Sequence, residues 1–158
     1  MNEVTINKDA KLSGHFTLGE LTKTSAKTPA GNIPSHVHIE NLKNLCENWL
    51  EILRKSYIIF YGEGKDIPLI INSGYRSEAV NKAIGGVKGS NHLTGCAVDI
   101  RVTGIEQAIR YAATLLDIAD SGKEFDELLI ECSPKGTFWL HFAVRPKDNR
   151  RKILFIKT

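Results

Sequence analysis

No stretch of the 158-residue chain is apolar for long enough to cross a bilayer. The opening residues, Met1 to Lys8, lack the basic-then-apolar layout of a secretory leader. The expectation is a protein made in the cytoplasm without a signal peptide and with no membrane partner. It reaches a target outside the membrane only if something else releases it. Cysteine is scarce. Cys46, Cys96 and Cys132 are an odd count, and none stands in a Cys-x-x-Cys pair. That argues against a disulfide framework and against a cysteine-based zinc knuckle, and it favours a reduced compartment. An excess of one charge is lacking too. Lys and Arg number 21 against 18 Asp and Glu, a formal net charge of +3. This mild bias falls far short of the clustered basic patch of a nucleic-acid binder. Internal repeats and low-complexity blocks are absent, which excludes fibrous and disordered classes.

What is present is an ordinary globular composition, 42% hydrophobic and 25% charged. The length fits one domain spanning residues 1–158 with a real core, residues 1–15 being polar and loosely held. Phe16 to Leu21 reads as a short helical turn and 22–35 as a loop. Ser35 can cap a helix over 36–57, in which Leu42, Leu45, Trp49, Ile52 and Leu53 recur at helical spacing. Residues 67–72 read as a strand, Ser77 starts a short helix ending at Gly85-Gly86, and 96–102 is the next strand. Thr103 and Glu106 form a capping box before the stripe Ile105, Ala108, Ile109, Ala112, Leu115 and Leu116. Strands follow at 127–131, 138–144 and 153–156. Helices come first and strands concentrate late. This predicts a small α+β domain, an antiparallel sheet with helices packed on one face.

The chemistry concentrates in two stretches. In Ser90-Asn-His92-Leu-Thr-Gly95-Cys-Ala-Val-Asp99 a histidine in a glycine-rich loop is followed seven residues later by an aspartate inside an apolar strand. A carboxylate there must be paired, hydrogen-bonded or bound to a metal. In Phe138-Trp139-Leu140-His141-Phe142 a histidine sits mid-strand among aromatic and aliphatic neighbours. Two imidazoles and one carboxylate make a three-ligand zinc set with a fourth position open. The same imidazoles argue against calcium and magnesium, which prefer oxygen shells. Spacing alone leaves a second reading open: His141 as a hydrogen-bonded core residue, and Asp99 capping a turn or pairing with Arg101 or Arg110. His36 and His38 read as surface residues at a helix start, and Trp139 as a wall of the core or site.

Taken together, Ser-x-His-x-x-Gly-x-Ala-x-Asp from Ser90, Trp-x-His from Trp139, and Ser73-Gly-Tyr-Arg-Ser77 resemble the zinc D-Ala-D-Ala peptidase family. The closest likeness is to its carboxypeptidase branch, which includes many phage and prophage proteins. The resemblance implies one zinc ion per chain held by His92, Asp99 and His141. It implies that Arg76 binds the substrate's terminal carboxylate, a role suited to a guanidinium, and that Ser90 holds the same end. It further implies action on peptidoglycan stem peptides, as a carboxypeptidase or a related endopeptidase, and the small α+β fold shared with the hedgehog signalling domain; a monomer is the expected state.

The proton-handling group departs from the family pattern. Several relatives carry a glutamate three residues before the last histidine ligand; here that position is Phe138. Others carry a histidine slightly upstream, where this chain has Lys135, Gly136 and Thr137. Glu131 is the favoured substitute, ahead of a solvent base, Glu78 or Asp126. Strand parity decides whether Glu131 serves. It shares a face with His141 if it pairs with an odd-numbered residue such as Trp139, and points away if 132–137 is all loop. The displaced base keeps a second function open, a non-catalytic zinc module for wall docking or a phage particle. A metal-free core is the third.

Overall fold

The computed structural model describes residues 5–158. Helix α1 (Leu18–Thr22) is capped by Thr17 and Glu20 in a reciprocal capping box. Helix α2 (His36–Leu45), capped by Ser35, runs through a π-helical turn (Cys46–Leu50) into α3 (Glu51–Tyr61). Strand β1 (Ile71–Ser73), α4 (Glu78–Ala83), a 3-10 turn (Asn91–Thr94) and β2 (Ala97–Arg101) follow. Helix α5 (Ile105–Asp120) then precedes β3 (Glu127–Cys132), β4 (Phe138–Ala143) and β5 (Lys152–Lys157).

The strands form one sheet in the order β1-β2-β4-β3-β5. The fold is α+β as expected, but the sheet is mixed rather than antiparallel, because β5 runs parallel to β3. The cause lies in the 144–151 loop. It leaves β4 at the end of β3 that carries Glu127, wraps around Asp126, and starts β5 on the far side of β3. Arg151 donates its backbone N–H to Phe125 and Lys152 donates to Asp126. The even-numbered face of the sheet, with Val98, Ile100, Leu128, Leu140 and Phe142, forms the core with the helices. Trp49 packs against Phe142 at 5.0 Å between ring centroids. The odd-numbered face carries Asp99, Glu127, Leu129, Glu131, Trp139 and His141.

Several local expectations shift, each for a physical reason. The π turn adds a residue to its helical turn. It carries the buried stripe on to Leu53 and Tyr57 and leaves Ile52 exposed. In α5 the buried face is Ala108, Tyr111, Leu115, Ile118 and Ala119, while Ile105 and Ile109 are exposed. The Thr103–Glu106 capping box does not form. Gly104 is the N-cap, and the Gln107 side chain accepts from the Thr103 N–H at 2.8 Å. Strand β1 starts only at Ile71, since Pro68 has no N–H to give a ladder. The expected looseness of residues 1–15 lies outside the described residues for 1–4. From Ala10 onward the chain is anchored: Leu12 is buried, and Glu51 accepts from the Ser13 hydroxyl and the His15 N–H. No helix among the described residues is long and apolar enough to cross a membrane.

Asp126 is fully buried at the turn into β3 and fastens the 144–151 loop. Arg150 donates to both of its carboxylate oxygens, at 3.0 and 2.8 Å, and Arg145 lies 3.2 Å away. Burial alone would raise the Asp126 pKa, but hydrogen bonds from Arg150 and Asn91 and the Arg145 charge bring it down to about 2. A depressed carboxylate stabilises the fold above its unfolded pKa near 4, and that contribution is lost as pH falls through about 2. Asp126→Asn is therefore expected to destabilise the protein by about 2 kcal/mol near neutral pH. In urea unfolding across a pH series, the gap from the parent protein should close between about pH 4 and pH 2.

Candidate metal centre

Three parts of the fold converge at the floor of a cleft of about 710 Å³ on the odd face of the sheet. Asp99 comes from the middle of β2 and His141 lies directly opposite it on β4. His92 comes from the 3-10 turn just before β2. All three are buried.

The loop bearing His92 is shaped by its neighbours. Ser90 caps the turn, its hydroxyl accepting from the His92 N–H at 3.2 Å. Gly95 ends it with φ +72, and a Cβ there would come within 2.4 Å of the His38 carbonyl oxygen. Only glycine meets both demands. Gly74 is required for a different reason: a Cβ would come within 2.3 Å of the Leu21 carbonyl oxygen. This close approach lets the Ser73–Ser77 segment lie between α1 and the His92 turn. Tyr75 donates its backbone N–H to Leu21, and Arg76 donates to the His92 carbonyl at 3.0 Å. The Gly74 carbonyl reaches His92 Nδ1 at 2.6 Å. That contact puts the ring proton on Nδ1 and leaves the Nε2 lone pair facing Asp99 Oδ2, 3.3 Å away.

His141 Nδ1 stands 3.0 Å from the other Asp99 oxygen. One donor atom from each of His92, Asp99 and His141 falls within 4.8 Å of the other two. Two imidazole nitrogens and a carboxylate oxygen so arranged fit a zinc ion, with space on the cleft side for a fourth ligand. Burial by itself would raise the Asp99 pKa, but His92 and His141 outweigh it and hold the carboxyl well below the usual range. Burial would likewise lower His141, yet its hydrogen bonds to Asp99 and Glu127 push it up to about 9. The two shifts have complementary causes: the neighbouring imidazoles favour the Asp99 carboxylate, and the two carboxylates favour the charged His141 ring.

Arg76 also reaches this cluster. Its Nη2 donates to Asp99 Oδ2 at 2.9 Å, Nε to Ser73 and Nη1 to Asn81. Arg76 is thus the arginine that pairs with Asp99. Arg101 is exposed and bonds Asn72, and Arg110 bonds Glu106. Arg76 and Ser90 both line the cleft.

Glu131 lies on the same face. Cys132 pairs with Phe138, so only 133–137 is loop, and Glu131 pairs with Trp139. No bulge is needed. Trp139 Nε1 donates to Glu131 Oε2 at 2.6 Å, leaving Oε1 for another partner. Neither Glu78 nor Asp126 lines the cleft. His38 stacks on Tyr75 at 5.2 Å, and its Nδ1 accepts from the Ser35 N–H, away from the cluster. Glu127, which the sequence pattern did not single out, brings Oε1 within 3.2 Å of His141 Nε2. Its signal was parity: two residues before Leu129, it shares the face of His141.

Compared with curated proteins, the chain shows no significant match. The model of a protein family, peptidase M15, matches residues 14–133. The matched segment holds Arg76, Ser90, His92, Asp99 and Glu131 and stops before His141. A match over most of the chain, ending inside the sheet that carries the cluster, assigns the protein: it belongs to the peptidase M15 family of zinc-dependent metallopeptidases.

Proposed function

We propose that the chain is a zinc carboxypeptidase-like enzyme of peptidoglycan stem peptides, with His92 Nε2, Asp99 and His141 Nδ1 as the metal ligands. The observation that carries this reading is the convergence of those three donors, buried, on the face of the sheet that also bears Glu131. When bound there, zinc would polarise a peptide carbonyl and bring the pKa of a water toward neutrality. The rest of the chemistry falls to the chain.

Glu131 lies diagonally across the β3–β4 pair from His141, a separation of about 7 Å that a water can span. Its carboxylate takes the proton from the attacking water and hands it to the leaving amine. Trp139 holds one oxygen of Glu131 and so aims the other. Arg76 and Ser90 line the same cleft and bind the substrate's terminal carboxylate. Arg76 keeps one N–H on Nη1 and one on Nη2 beyond those given to Asn81 and Asp99, enough to grip a carboxylate edge-on. The target lies in the wall, so the enzyme acts once released to it, as a monomer.

Purified without chelators, the protein is expected to hold about one zinc per chain, and chelation should abolish release of D-Ala from muropeptides. Bound zinc with no turnover across a muropeptide panel would instead assign the chain a docking role. Glu131→Gln is expected to keep its zinc and lose about 10²–10⁴ in kcat; an unchanged kcat removes Glu131 from the mechanism. Arg76→Ala should depress kcat/KM on peptides with a free C-terminal carboxylate far more than on their amides. An equal loss on both would show that Arg76 serves Asp99 rather than substrate.

A further inference from the structure

We infer that Glu127 is a positioning residue of the metal centre, turning the His141 ring so that Nδ1 faces the metal position. The inference rests on the ligand reading above and adds a residue that neither the motif pattern nor family membership assigns.

An imidazole on a strand can sit in two orientations related by a half-turn about χ2, which exchange the directions of its ring atoms. Only one presents Nδ1 to Asp99 and His92. A carboxylate that accepts a proton from Nε2 selects that orientation and also the tautomer, with the lone pair left on Nδ1. Glu127 Oε1, 3.2 Å from Nε2, stands where such an acceptor is needed. His92 has the counterpart arrangement, its Nδ1 tied to the Gly74 carbonyl. One ring is oriented by backbone and the other by Glu127.

Glu127 is itself held. Asn91, buried at 7% exposure, donates from Nδ2 to Glu127 Oε1 at 2.6 Å and to Asp126 Oδ2 at 2.8 Å. Its side-chain Oδ1 accepts from Arg145 Nε at 2.9 Å. Arg150 Nη2 lies 3.6 Å from Glu127 Oε2. Asn91 directly precedes His92, so one side chain couples the backbone carrying the first ring to the carboxylate orienting the second. Arg145 and Arg150 come from the loop beyond the family-matched segment. That loop holds two non-glycine residues at positive φ, Asp148 at +59 and Arg151 at +49. Such a conformation is tolerated where the surroundings determine it, and here Asp126 and Asn149 fasten it.

Glu127 and Glu131 share a face but differ in partner. Glu131 meets the Trp139 indole, and Glu127 meets the outer nitrogen of a ligand ring. The geometry therefore divides proton transfer from ring orientation between two carboxylates four residues apart on one strand.

The test measures zinc affinity of the full chain by competition with a chromophoric chelator, comparing Glu127→Ala, Glu127→Asp and Glu127→Gln. Gln keeps an Oε1 acceptor at the same reach, whereas Asp keeps the charge but falls short of Nε2. Ala and Asp are expected to weaken zinc binding about 10–100-fold, and Gln to stay within about threefold of the parent. If the Ala protein does not fold, the Asp and Gln pair decides. Affinity within threefold for both Ala and Asp overturns the inference. So does the opposite order, with Asp tight and Gln weak, because that is an effect of charge and not of orientation. A parent protein that binds no zinc overturns the ligand reading as well, whereas a parent that binds zinc alongside unaffected variants overturns the role of Glu127 alone.

Discussion

Asp99 is a carboxylate in the centre of a buried strand, flanked by Val98 and Ile100, and the structure around it is organised to satisfy its charge. An unpaired charge at that depth would cost several kcal/mol even after relaxation. Three side chains converge on it: His92, His141 and Arg76. Each arrives from a different element, and each arrival imposes a local demand. His92 needs a turn that closes through Gly95. Arg76 needs its segment pressed against Leu21, which Gly74 permits. His141 needs β4 in register with β2. These three conditions account for the glycines and for the order of the central strands more directly than core packing does, since the even face would accept many apolar sequences.

Register carries the rest. Along β3 and β4 a slip of one residue would move Glu127, Leu129 and Glu131 to the helix side and bring Leu128 and Ile130 to the cleft. The apolar even positions resist that slip, because Leu128, Leu140 and Phe142 would leave the core. Hydrophobic patterning and placement of the proposed catalytic groups are thus one constraint. The 133–137 loop, with Gly136 at φ +83, closes the hairpin at the length that sets this parity.

How much of this was legible in the sequence follows from the range of the forces involved. The histidines and Asp99 stood out because polar residues interrupt apolar runs. The helices and late strands stood out because burial repeats at a fixed period. The parallel placement of β5 did not, because nothing within Ile153–Ile156 distinguishes a parallel neighbour from an antiparallel one. It depends on Arg145 and Arg150 reaching back to Asp126. The exposed Ile52 was hidden for a similar reason: a π turn leaves no mark in a periodicity count until the phase has already moved. The pairing of Arg76 with Asp99 spans 23 residues and two elements. Nearer arginines in sequence were the natural expectation and lie elsewhere in space.

Asp126 and Glu127 show the same limit at its sharpest. They are adjacent acidic residues at the head of one strand, and composition treats them alike. Their partners differ. Asp126 turns inward to fasten the 144–151 loop through Arg150, while Glu127 turns to the cleft and meets His141. Asn91 bonds both, so the fastening of the loop and the orientation proposed for the ring share a donor. The β5 region and the proposed metal site thus share that amide, and Arg150 Nη2 also lies 2.8 Å from Asp126 and 3.6 Å from Glu127. A change that loosens the loop should reach the ring without touching any of the three proposed ligands. The contacts that would carry it run from Arg150 to Asp126, to Asn91, to Glu127, to His141.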